Sequence, residues 1–138
     1  MKLPTPSCVL SFDYGTRKVG VAIGDTLTQQ ARPLAVIAYA STAVLAQAIS
    51  GYITQYAPKA LVVGLPVHDE PSKITEAAES FARDISATYK LPVVLLDERF
   101  SSQAANAYRK THPDLKDAIA AAIVLESFLA NPESYEPL

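Results

Sequence analysis

Two short apolar segments, each directly after an amphipathic stretch, constrain the fold of this chain more than any other feature. Residues 60–64 (ALVVG) and 92–96 (PVVLL) have the length and the branched side chains of buried strands. Apolar side chains at helical spacing precede each one, from Leu45 to Tyr56 before the first and from Ile74 to Tyr89 before the second. This order predicts neighbouring parallel strands joined by right-handed helical crossovers.

The first forty residues follow a different pattern and predict three consecutive strands, at residues 8–12, 19–23 and 34–39. The link from Asp13 to Lys18 is short and polar, which is typical of a hairpin. We expect Arg32 and Pro33 to form the turn before the third strand. Short links of this kind predict an antiparallel meander.

After the last strand the sequence predicts two more helices. Ser101 or Ser102 is a candidate cap for a helix ending at Lys110, and Asp114 for one reaching about Ala130. The complete order is βββ-α-β-α-β-α-α, which predicts an α/β fold. The antiparallel meander and two parallel strands form a five-stranded mixed sheet with helices on both faces. This is the ribonuclease-H-like arrangement, and the length of 138 residues predicts a single domain over 1–138.

Composition narrows the possible environments and partners. An apolar fraction of 49% excludes a disordered chain, and no apolar run is long enough to cross a bilayer. A single cysteine and a start without a secretory signal predict a cytoplasmic protein. The 12 basic and 14 acidic residues give a net charge of −2. Nucleic-acid binders usually carry a basic face, so this chain either avoids nucleic acid or binds it through a local patch.

Acidic residues follow the first and last predicted strands and begin the last helix. Asp13 ends the first strand, Asp97 and Glu98 follow the fifth, and Asp117 lies in the first turn of the final helix. The carboxyl ends of parallel strands meet at one edge of a sheet, where ligands of α/β proteins usually bind. Close carboxylates repel each other unless a cation lies between them, and Mg²⁺ prefers such oxygen ligands. The pattern indicates a metal site suited to phosphodiester hydrolysis.

Each of these residues also has an ordinary structural interpretation. Asp13 is a common turn residue, Asp97 to Arg99 fit a surface ion pair, and Asp117 complements a helix dipole. We expect all of these acids to lie at the same end of the sheet, which favours a functional site over separate structural roles. The loop from Asp13 to Thr16 also fits a phosphate loop of actin-like ATPases, which need two lobes. Three further candidates are isolated in the sequence. We expect Cys8 to be an apolar strand residue, and His68 and His112 to be loop residues. Of the two histidines, His68 is a candidate for the mouth of the site.

Taken together, these segments resemble the YqgF (RuvX) family of bacterial nucleases. The resemblance covers about residues 8 to 130. It rests on five stretches in order: 12–22 (FDYGTRKVGVA), 31–34 (ARPL), 62–66 (VVGLP), 97–102 (DERFSS) and 117–126 (DAIAAAIVLE).

The resemblance implies a ribonuclease-H-like nuclease that needs Mg²⁺ or Mn²⁺ and acts in maturing the 5′ end of the small-subunit ribosomal RNA precursor. Its acidic triad corresponds to Asp13, Glu98 and Asp117 as catalytic metal ligands, with Asp97 orienting a neighbouring group. It also implies a set of residues that hold the phosphates of the substrate strand: Arg17, Lys18, Arg99 and Ser101.

The sequence leaves open two alternatives to an RNA nuclease. In the first alternative, the same metal-dependent cleavage acts on a four-way DNA junction. In the other, the fold is a non-catalytic module that docks on RNA or on a ribosomal or transcription protein. Residues 108–116, shorter and less basic than is usual in the family, favour the second alternative. We expect no membrane partner, and either a monomer or a homodimer.

Overall fold

The protein is built on one five-stranded mixed sheet with the order β3-β2-β1-β4-β5. The computed structural model describes residues 1–65, 73–97 and 110–138. Its strands are β1 (Cys8–Tyr14), β2 (Lys18–Asp25), β3 (Ala31–Ala38), β4 (Ala60–Leu65) and β5 (Val93–Asp97), and its α-helices are α1 (Thr42–Tyr56), α2 (Lys73–Tyr89) and α3 (Lys116–Ala130). Strands β1, β2 and β3 pair antiparallel, whereas β4 and β5 continue from β1 in parallel.

The alternation of side chains along the strands divides the apolar core between the two faces of the sheet. On one face, Leu10 and Phe12 of β1 pack against Ile49 of α1 and Phe81 of α2. On the other face, Val9 joins the buried side of α3. The predicted mixed sheet with helices on both faces is therefore confirmed. The apolar stretch at the start of α3 packs on the sheet, with its residues at positions 118, 119, 121, 122, 124 and 125 buried.

Four of the strands, β1 to β4, are longer than the apolar pattern predicts, whereas β5 keeps its predicted length and begins one residue later. The first strand does not end before Asp13, because Asp13 and Tyr14 continue the ladder opposite Gly20 and Val19. The expectation of a turn at Arg32 and Pro33 is wrong, since both residues lie within β3. Proline is tolerated there because β3 is an edge strand, and the register with β2 shifts nearby, between Val21 and Ala22.

The predicted cap of the final helix is also wrong. Asp114 lies in a 3₁₀ turn, Pro113–Leu115, and α3 begins at Lys116, with Leu115 and not Asp114 at its N-cap position. Within the part of the chain that the structure describes, no side-chain hydrogen bond caps this end. Proline at the start of the 3₁₀ turn fixes the backbone of the turn, so the chain enters α3 through that turn. The helix predicted from Ser101 or Ser102 lies outside the described residues except for its end, where Lys110 is helical.

Within the described ranges, no helix has the length and apolar character needed to span a bilayer.

Candidate functional site

Asp13 lies near the carboxyl end of β1, in the centre of the sheet. It is in register with Gly20 of β2 on one side and Gly64 of β4 on the other. The side chain is half-buried. Both neighbours in the register are glycines, which carry no side chains to fill the space beside a carboxylate.

Asp117 lies in the first turn of α3, where its backbone packs directly on Gly20. A Cβ atom at residue 20 would overlap the Asp117 carbonyl and would lie 2.6 Å from the nitrogen of Ala118. Glycine therefore permits α3 to begin this close to the sheet. Since Gly20 is opposite Asp13, the contact places the Asp117 carbonyl within about 10 Å of the Asp13 Cα.

The direction of α3 follows from two further contacts. The Ser11 hydroxyl donates a buried hydrogen bond of 2.6 Å to the Ala121 carbonyl. At the far end, a Cβ atom on Gly24 would lie 2.8 Å from Cδ1 of Leu129. Helix α3 thus runs antiparallel to β1, and its amino end lies at the carboxyl end of that strand. The positive end of the helix dipole favours carboxylates at this edge.

Asp13 and Asp117 also lie on the same face of the sheet. Side chains two residues apart along a strand project to the same side. Ser11 projects towards α3, because its hydroxyl bonds to that helix, so Asp13 does as well. The structure therefore places two of the three predicted catalytic residues, Asp13 and Asp117, on one face of the sheet and at the carboxyl end of β1.

The third predicted carboxylate, Glu98, lies outside the described residues. Its neighbour Asp97 ends β5 at the same edge of the sheet, exposed and in register with Leu65. Among residues 1–65, 73–97 and 110–138, no three His, Cys, Asp or Glu side chains form a group able to hold a metal ion. The described part of the site thus supplies two acidic residues on one face of the sheet, Asp13 and Asp117, which we call the carboxylate pair.

Of the four predicted phosphate-binding residues, Arg17 and Lys18 are described, and both are exposed. Lys18 shares its face of β2 with Gly20, so it projects on the α3 side of the sheet. Across an antiparallel pair, its position is diagonal to Asp13 at roughly 7–8 Å. Arg99 and Ser101 lie outside the described residues, as does His68.

The loop that carries Arg17 is held by Tyr39, which follows β3. The Tyr39 hydroxyl donates a hydrogen bond of 2.5 Å to the Gly15 carbonyl, and its backbone nitrogen donates one of 3.0 Å to the Arg17 carbonyl. Burial and, after it, the neighbouring Tyr14 hydroxyl raise the pKa of Tyr39 to about 12. The phenol therefore stays protonated, and keeps its donor, at any physiological pH.

The opposite edge of the sheet holds a separate cavity of about 390 Å³, lined in part by Cys8, Asp25 and Arg32. Burial, and then the charge of Asp25, raise the pKa of the Cys8 thiol, which disfavours the reactive thiolate. The pKa of Asp25 is lowered mainly by a hydrogen bond from the backbone of Thr28. Cys8 is a half-buried strand residue, as expected. His112 is an exposed residue outside the helices and strands, in agreement with the predicted loop position.

Three residues that build the site were missed at the sequence level: Ser11, Gly20 and Tyr39. A serine inside an apolar strand and a glycine between two valines were the available signals. Both residue types weaken a strand unless packing requires them, so each marks a close contact. Tyr39 gave no signal beyond its place at the end of a strand.

Comparison with known proteins agrees with this arrangement. The sequence family described as "RuvX: Holliday junction resolvase" matches residues 7–131. The chain belongs to the RuvX family. A relative from Xylella fastidiosa (strain M23) is 43% identical over 90% of this chain and 88% of its own length. One from Paraburkholderia xenovorans (strain LB400) is 39% identical over 88% of this chain and 86% of its own. Both are named "Putative pre-16S rRNA nuclease".

Solved structures of resolvases share the fold of this RuvX family member. RuvC of T. thermophilus, solved with a Holliday junction substrate, superposes with a TM-score of 0.63 at 16% identity, over 96% of this chain and 99% of its own. The Fowlpox virus resolvase, solved with Holliday junction DNA, gives 0.59 at 12% identity, over 91% of this chain and 99% of its own. The predicted ribonuclease-H-like fold is therefore confirmed.

Proposed function

We propose that this chain is a single-domain cytoplasmic nuclease that hydrolyses phosphodiester bonds in the precursor of the small-subunit ribosomal RNA. The observation that carries the proposal is the placement of Asp13 and Asp117 on one face and one edge of the sheet, through the contact at Gly20. The names of the RuvX relatives supply the substrate class.

The carboxylate pair fits a divalent cation by the chemistry of its donors. Carboxylate oxygens are hard ligands, which Mg²⁺ and Mn²⁺ prefer, and the helix end beside them tolerates their charge. Glu98, which follows Asp97 in the chain, would complete the set as a third carboxylate. A cation bound there would stabilise charge on the phosphate and favour attack by water. The carboxylates would place it beside the scissile bond, with Asp97 orienting a neighbouring group.

The basic residues would hold the substrate strand. Lys18 stands on the same face as the carboxylate pair, diagonal to Asp13, so its ammonium can neutralise a phosphate next to the one that is cut. Arg17 lies beside it in a loop fixed by Tyr39. Arg99 and Ser101, which follow Glu98 closely in the sequence, would contribute further phosphate contacts.

The same chemistry also suits branched DNA, because a carboxylate–metal site acts on the phosphate and does not distinguish the sugar. The resolvases that share this fold are the observation in favour of that second substrate. Selection of RNA would come from contacts to shape and to the 2′-hydroxyl.

The test is cleavage of precursor ribosomal RNA and a four-way DNA junction by the purified chain, compared at one salt concentration with Mg²⁺, Mn²⁺ or EDTA. We expect metal-dependent cuts near the 5′ end of the mature RNA and at least tenfold slower cleavage of the junction. Faster cleavage of the junction would contradict the RNA assignment and favour a resolvase. RNA binding without cleavage at any Mn²⁺ concentration would contradict nuclease activity and favour the non-catalytic module.

A further inference from the structure

Ser11 is a fully buried polar residue in the middle of an apolar strand. Its neighbours Val9, Leu10 and Phe12 are also fully buried. A hydroxyl in such surroundings destabilises the fold unless it is hydrogen-bonded. The Ser11 hydroxyl donates a hydrogen bond of 2.6 Å to the Ala121 carbonyl of α3. A polar link between β1 and α3 therefore lies within an otherwise apolar interface.

The position of this link relative to the carboxylates is specific. From Ser11 to Asp13 the strand advances two residues, about 7 Å. From Ala121 back to Asp117 the helix covers four residues, about 6 Å along its axis. The two distances are similar and the two elements run antiparallel. Asp13 and Asp117 therefore lie at about the same distance beyond the hydrogen bond, one on the strand and the other on the helix.

The packing around the link explains why a directional bond is needed. Close to the link, the buried face of α3 carries the small side chains of Ala118, Ala121 and Ala122, whereas its carboxyl half buries larger ones, such as Leu125 and Phe128. Contacts between apolar groups are non-directional, so beside these alanines the hydrogen bond is the directional contact between the strand and the helix. Gly20 sets how closely α3 approaches the sheet, and the Ser11 hydrogen bond sets where α3 lies along β1.

We propose that Ser11 is a positioning residue that, together with Gly20, fixes the separation of Asp13 and Asp117 for a divalent cation. This inference rests on the proposed function, since it requires that the two carboxylates hold the cation. Ser11 would act through the helix and contact neither the cation nor the substrate.

The experiment measures Mn²⁺ affinity of the full chain without nucleic acid, by the electron paramagnetic resonance signal of free Mn²⁺. Ser11→Ala removes the link and should weaken Mn²⁺ binding roughly tenfold, the lower end for groups that orient metal ligands. Ser11→Cys keeps a weak donor and should bind between Ser11→Ala and wild type. Ser127→Ala is the matched control, since Ser127 donates to the Ile123 carbonyl at 3.3 Å within the same helix, and it should bind as wild type does.

Asp13→Asn separates failure of this inference from failure of the proposed function. If Asp13→Asn loses Mn²⁺ binding while Ser11→Ala and Ser11→Cys, both folded by circular dichroism, match wild type, the role of Ser11 is refuted and the metal site stands. If wild type binds no Mn²⁺, both proposals are refuted. Equal weakening in Ser127→Ala would also overturn the role, because it would show a general loosening of α3.

Discussion

At the scale of single residues, two uncharged residues, Ser11 and Gly20, make the contacts that pack α3 on the sheet beside Asp13. Asp13 and Asp117 were found from the sequence because acids after strands and at helix starts form a recognisable pattern. Gly20 and Ser11 were not found, because their role depends on which helix crosses which strand, and that is a tertiary contact. The sequence therefore predicted where these two acids lie in the fold, but not the residues through which β1, β2 and α3 pack beside them.

Tyr39 offers a prediction on pH at this scale. Its pKa of about 12 in the folded protein lies above the ordinary value of 10.0. The resulting stabilisation is fully present below pH 10 and is lost as the pH rises through about 12. The difference in absorbance at 295 nm between wild type and Tyr39→Phe should titrate near pH 12. A midpoint near pH 10 would contradict a half-buried, hydrogen-bonded phenol.

At the scale of elements, the apolar patterns predicted the five strands and the helices α1, α2 and α3 in their order along the chain, whereas the ends of these elements depended on their packing partners. Asp13 and Tyr14 extend β1 because β2 continues beside them, which a polar residue type does not reveal. Pro33 lies inside β3 because that strand has a free edge. Asp114 resembles a cap in the sequence, but the 3₁₀ turn places it before the helix.

The difference between a true and an apparent cap can be measured. Ser41 caps α1 by accepting a hydrogen bond of 3.3 Å from the Val44 nitrogen, so Ser41→Ala should lower the free energy of unfolding by about 1 kcal/mol. Asp114→Ala should change it by no more than about 0.5 kcal/mol, because Asp114 is exposed and does not cap α3. Urea unfolding of both variants checks this, and a larger loss in Asp114→Ala would contradict the assigned start of α3.

At the scale of the whole molecule, the net charge of −2 requires that binding to nucleic acid be local. Lys18 lies on the same face of the sheet as the carboxylate pair, whereas Lys59, which is also exposed, precedes β4 at the opposite end of the strands. Lys18→Ala should weaken RNA binding and lower the slope of log affinity against log salt by about 0.7 to 0.9. Lys59→Ala should change neither, as fluorescence anisotropy at several salt concentrations would show. Equal effects would indicate diffuse binding over the surface.

The most direct test of the carboxylate site is metal-dependent cleavage of precursor RNA by Asp13→Asn, compared with Asp25→Asn. Asp25 ends β2 at the far edge of the same sheet, so it controls for the loss of one negative charge. Asp13→Asn should keep its fold and its RNA binding and lose about a thousandfold in cleavage rate, which corresponds to several kcal/mol of charge stabilisation. Asp25→Asn should cleave as wild type does. Undiminished cleavage by Asp13→Asn would contradict the account.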